Sequence, residues 1–84
     1  MSRPTFAAVE GLLVQVGFQR RSSPESHVLF EHPGAGVHVL LRPYQADEPV
    51  EAPALAYVRR TLDEWGILER GRFDEELRQR SLAG

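Results

Sequence analysis

Two apolar stripes of identical spacing bracket this chain and constrain what it can become. Phe6, Val9, Leu13 and Val16 fall at i, i+3, i+7 and i+10, and Leu55, Val58, Leu62 and Trp65 repeat the interval. That period lines up each set along one side of an α-helix. The spacing predicts a first helix from about Pro4 to Val16, with Pro4 suited to a first helical turn. A second is predicted from about Pro53 to Trp65, and Gly17 and Gly66 stand where helix stops are expected. On the wet side of the second helix, Arg59 with Asp63 and Arg60 with Glu64 are spaced for i, i+4 ion pairs. Gly71 separates a short third helix, about Phe73 to Leu82, which docks through Phe73 and Leu77.

Between the two stripes the period changes to two. Strands are predicted over Phe18–Ser22, Ser26–His32 and Val37–Leu41. Ser23-Pro24-Glu25 makes a turn between the first pair, and His32-Pro33-Gly34-Ala35-Gly36 a hairpin loop between the second. Arg42 to Glu51 holds two prolines and no clean period, and reads as a solvated acidic loop. Short connections favour an antiparallel meander. Two helices must bury their stripes, and one face of the sheet is the natural partner. The expected architecture is an α+β two-layer sandwich, α-β-β-β-α, with a short extra C-terminal helix.

With 84 residues, a single domain spanning the whole chain is expected. There is no cysteine, which excludes a disulfide scaffold, a thiolate zinc site and a thiol nucleophile. No apolar run approaches the roughly 20 residues needed to span a bilayer, and no secretion signal opens the chain. A cytoplasmic protein with no membrane attachment is the expectation. All ten basic residues are arginine, against twelve carboxylates, for a net charge of −2. A bulk electrostatic grip on nucleic acid is thereby excluded, and any polyanion must be met by a local patch.

Alternation along the strands locates that patch. With Phe18, Val28, Phe30, Val39 and Leu41 turned to the helices, the outer face carries Gln19, Arg21, His27, Glu31, His38 and Arg42. Such a face is ordinarily just the solvated side of a small sheet, with Arg21 and Glu31 an exposed ion pair. It also holds the groups that metal-independent RNA cleavage requires. Histidine shuttles a proton between the 2′-hydroxyl and the leaving oxygen, and arginines hold the anionic phosphate. His27 with Arg21 and Arg42 meets both needs if the three converge. His27, His32 and His38 share neither a face nor a ligand spacing, so no metal site is expected. Trp65 and Tyr57 read as core or core-edge residues rather than base-stacking platforms.

From Gly17 to Gly66 the chain resembles the HicA (YcfA-like) family of bacterial toxins. Gly17-Phe18 follows the first helix, then Arg20-Arg21, then Ser26-His27 opening a strand that runs Val28-Leu29-Phe30-Glu31-His32-Pro33. Gly34 and Gly36 come next, and a helix with Leu55, Val58, Arg59 and Leu62 ends at Gly66-Ile67. The resemblance implies a double-stranded-RNA-binding-like fold and an mRNA-cleaving ribonuclease that needs no cofactor. It also implies a HicB-like antitoxin as partner. The family's key histidine, in a Gly-Ser-His motif, maps onto His27. Ser26 would orient the phosphate, and Arg21, His38 and Arg42 would contact RNA.

The sequence departs from that pattern in three places. Glu25 stands where the family has glycine, the Pro-x-His after the third strand is missing, and the net charge is acidic. These departures define an alternative, a non-catalytic module of the same fold that binds RNA weakly or docks a protein through Leu29 and Leu40.

Overall fold

A computed structural model describes residues 3–21 and 27–83. Its elements run α1 (Phe6–Gln15), β1 (Gln19–Arg21), β2 (Val28–His32), β3 (Val37–Leu41), α2 (Ala52–Glu64) and α3 (Arg70–Ala83). This is the expected α+β order, one helix, three strands and two further helices. The turn expected at Ser23–Glu25, and the strand ends at Ser22 and Ser26, lie outside the described residues.

Each boundary has a local cause. Thr5 caps α1, its Oγ1 accepting from the Ala8 backbone N–H at 3.3 Å. Pro4 therefore precedes the helix instead of forming its first turn, and its carbonyl accepts from the Val50 N–H. Gly17 closes α1 with φ +109°, and Gly66 closes α2 with φ +68°. At both ends the bonding is the same. Phe18 N–H reaches the Leu13 carbonyl and Gly17 N–H that of Val14, while Ile67 N–H reaches Leu62 and Gly66 N–H reaches Asp63. These paired bonds satisfy the last carbonyls, and only glycine takes the left-handed position at low cost.

The three strands form one antiparallel sheet in the order β1-β2-β3. Its register pairs Gln19 with Glu31 and Arg21 with Leu29 on one side of β2, and Glu31 with His38 and Leu29 with Leu40 on the other. Residues paired across strands share a face. Phe30, Val39, Val28 and Leu41 consequently look the same way, and all four are buried. Phe6, Val9, Leu12 and Leu13 of α1, Val58 and Leu62 of α2, and Phe73 and Leu77 of α3 join them in one core. Among the described residues, no helix lies on the other face of the sheet. Arg21, His38 and Leu40 are exposed there, and Leu29 and Glu31 half-buried.

Two expectations need correction and a third needs an addition. First, α3 begins at Arg70, so Gly71 lies inside its first turn rather than ahead of it. Second, Trp65 is 56% exposed. It occupies the C-cap of α2, where the helical period no longer sets side-chain direction. Third, the segment from Arg42 to Glu51 is the expected, mostly exposed loop, but it is also tied to α1 and to the core. Phe6 N–H donates to the Glu48 carbonyl and Ala7 N–H to that of Ala46, Thr5 bridges Pro49, and Val50 is fully buried. The charges of this segment conceal one apolar anchor.

The helix-to-helix ion pairs also differ from the spacing rule. Arg60–Glu64 forms along α2 as expected, at 3.6 Å. Arg59 instead grips Asp74 of α3 with two bonds of 3.1 and 3.0 Å, and Asp63 takes Arg70 at 3.1 Å. Arg80 of α3 passes over Gly11 of α1 and donates to Gln15.

If Val50 anchors the 42–51 segment, Val50→Ala will lower stability by about 2 kcal/mol through lost burial and the cavity left behind. Urea denaturation followed by circular dichroism measures this. A change within experimental error would show that the segment is not integral to the core.

Candidate nucleic-acid interface

The uncovered sheet face is organised around Glu31, on the central strand β2. Arg21 Nε donates to Glu31 Oε1 at 3.3 Å. His38 Nε2 lies 3.0 Å from Glu31 Oε2. An ionised carboxylate only accepts hydrogen bonds, so His38 carries its hydrogen on Nε2 and directs Nδ1 elsewhere. The hydrogen bond from His38, and then Arg21, holds the Glu31 carboxyl below its ordinary range. Three strands thus contribute one residue each to an Arg–Glu–His row.

His27 is exposed immediately before β2. Continued one step beyond the Val28–Leu41 pair, the register brings His27 and Arg42 to the same end of the sheet. The guanidinium of Arg42 is held within the 42–51 segment. It bonds Glu51 at 2.6 Å and Glu48 at 2.8 Å, and lies 3.8 Å from the centre of the Tyr44 ring. Tyr44 in turn stacks on Phe6, with ring centres 5.5 Å apart, and donates its hydroxyl hydrogen to Glu51. Arg21 and Arg42 therefore belong to separate ion-pair groups. Ser26 lies outside the described residues.

The Arg42 group has a pH signature. Hydrogen bonds from Arg42 and then Tyr44 push the Glu51 carboxyl down to about 2. Arg42 and the Gln45 backbone N–H lower Glu48, Arg42 itself is raised, and burial followed by Glu51 raises the Tyr44 hydroxyl. A carboxyl with a depressed folded-state pKa stabilises the fold fully above its ordinary value of 4.5, and that contribution disappears as pH falls toward about 2.

His32 has a structural role that its place in the hairpin sequence does not announce. Ala35 N–H donates to its Nδ1 at 3.0 Å, so its hydrogen is on Nε2, which donates to the Val16 carbonyl at 3.0 Å. Phe18 meets the ring edge-on at 5.1 Å. A Cβ on Gly17 would lie 2.8 Å from Nε2. His32 therefore fastens the end of α1 to the β2–β3 hairpin, a structural duty on the helix side of the sheet. The His-Pro-Gly sequence signals a turn, but not that the imidazole would cap it.

Among the described residues, arginines 20, 21, 42, 59, 60, 70, 72 and 78 each pair with a carboxylate of the same chain. No group of three or more histidine, aspartate or glutamate side chains suited to a metal ion occurs among the described residues. Nor is any described helix long and apolar enough to cross a membrane. Comparison with known proteins finds no matching family model, and no significant match among curated proteins or solved structures.

Two outcomes follow from this geometry. His32→Ala removes two backbone-directed hydrogen bonds at about 1 kcal/mol each, so urea denaturation will show a loss of about 2 kcal/mol. Melting temperature measured from pH 6 down to about 2 will fall for the wild type below about pH 4.5. Arg42→Leu will start lower and fall less steeply over that window. Parallel curves for the two proteins would contradict the role given to Arg42.

Proposed function

We propose that this chain is a cytoplasmic HicA-like RNA-binding domain with a double-stranded-RNA-binding-like core, and that it acts as an mRNA endoribonuclease toxin. The observation that carries the reading is the one-sided sheet. All three helices join the core on one face, and the other is left open with Arg21 and His38 on it and His27 at its end. RNA would lie across that face. His27 would take the proton of a 2′-hydroxyl and return one to the leaving oxygen, while Arg21, His38, Ser26 and Arg42 contact phosphates. A HicB-like antitoxin would neutralise the toxin by covering the same surface.

A second reading rests on a specific observation. Leu40 is 49% exposed and paired with Leu29 at the centre of the open face, amid arginines whose charge is already compensated. That combination suits a non-catalytic module that docks a protein.

Cleavage of a labelled mRNA in the presence of a metal chelator separates the two. The favoured reading expects cleavage by the wild type and its loss, by a factor of about 100 or more, in His27→Ala. Equal rates for the two proteins, or no cleavage by either, would remove the nuclease assignment. RNA binding that weakens steeply with added salt would still favour a polyanion ligand over a protein one.

A further inference from the structure

The carboxylate at the centre of the open face occupies a position suited to a phosphate. Glu31 offers two oxygens on one carbon, and each is taken by a different cationic or polar donor. Arg21 Nε approaches Oε1 from β1 at 3.3 Å, and His38 Nε2 approaches Oε2 from β3 at 3.0 Å. A phosphodiester offers two non-bridging oxygens on one phosphorus in much the same manner, and arginine and histidine are both suited to receive it. The donors stay in reach of solvent, with the Arg21 and His38 side chains 50% and 54% exposed.

We propose that Arg21 and His38 form an anion clamp that Glu31 occupies from within, and that the ligand it keeps out is a phosphodiester of RNA. The proposal rests on the RNA reading above and deepens it. Glu31 acts as an internal competitor, so RNA is bound only by displacing a carboxylate that is already in place.

The other ion pairs near the sheet do different work. Glu48 and Glu51 hold Arg42 within a segment whose backbone is bonded to α1 and whose Val50 is buried, so their loss would disturb packing. Glu10 ties Arg20 to α1 on the helix side. Glu31 alone of these joins two donors from separate strands on the uncovered face. The pairing of β2 with both neighbours is made by the backbone and not by the Glu31 side chain.

The test compares wild type, Glu31→Gln, the double variant Arg21→Gln/Glu31→Gln, and Glu64→Gln. The last makes the same charge change on α2, away from the sheet. Thermal melts confirm folding, and Glu31→Thr, a good strand residue, replaces the glutamine variant if that one loosens the sheet. Binding of a short fluorescent single-stranded RNA is read by anisotropy across a salt series. Binding of inorganic phosphate is read by NMR at the His38 ring.

Glu31→Gln is expected to bind RNA roughly tenfold tighter than wild type, the scale of one charge-assisted hydrogen bond gained. Its salt slope should steepen by about one. Its affinity for inorganic phosphate should also rise, Glu64→Gln should show no comparable gain, and the double variant should lose it. If Glu31→Gln matches wild type or Glu64→Gln with both probes, the clamp does not exist. If it gains phosphate affinity while neither it nor wild type holds RNA, the clamp stands and the RNA reading fails. If wild type binds RNA and Glu31→Gln gains nothing, the clamp fails and the RNA reading survives.

Discussion

Everything in this molecule follows from a sheet whose fully buried apolar side chains lie on one face, with only the exposed Leu40 and half-buried Leu29 among the described apolar residues of the other. Phe30 sits at its centre, fully buried, with Arg20 and Val39 as its neighbours across the strands and Phe6 of α1 packed on its ring at 6.3 Å. Three strands are too few to enclose a core by themselves. The helices must therefore close it: α1 and α2 pack on that face, and α3 packs against both of them and adds Phe73 and Leu77 to the core. Because every helix is used there, none remains for the other side. The open face is thus a consequence of how little apolar surface a chain of this size has to distribute, before it is a binding surface.

The second theme is charge held within the chain. The net charge of −2 understates how thoroughly the arginines are compensated. Pairs on the helices run along a helix or tie α2 to α3, while Arg42 is enclosed by Glu48, Glu51 and Tyr44. Exposed pairs of this kind add little stability individually. Their larger effect is on what the surface can attract, since a cation already facing a carboxylate presents a weakened field to a polyanion. The Arg21–Glu31–His38 row is where this matters most, because it lies on the face that none of the described helices covers.

How much of the candidate site could be read in advance depends on the range of the interaction. Alternation along β2 and β3 places Glu31, His38 and Leu40 on the outer face from the sequence alone, and the register confirms their shared side. The same rule assigns Arg42 to that face, but its guanidinium is drawn into the following segment by two carboxylates and a tyrosine ring. Nothing in the spacing of Arg42, Glu48 and Glu51 announces this, since loop residues carry no period. His32 was hidden for a related reason. Its partners, Val16 and Ala35, are backbone groups that come within reach only when α1 and the hairpin are docked.

By itself the sequence determined the order of elements, the side of β2 and β3 that is buried and the glycines that end α1 and α2. All of these follow from short-range periodicity and from backbone conformations that few residues tolerate. The tertiary structure decided which carboxylate each arginine meets, as when Arg59 passes over Asp63 of its own helix for Asp74 of the next. It also decided that the 42–51 segment docks on Val50 and that Trp65 stays in solvent. These outcomes depend on the angles and distances at which separate elements pack, and residue spacing along a chain does not encode those in any local pattern.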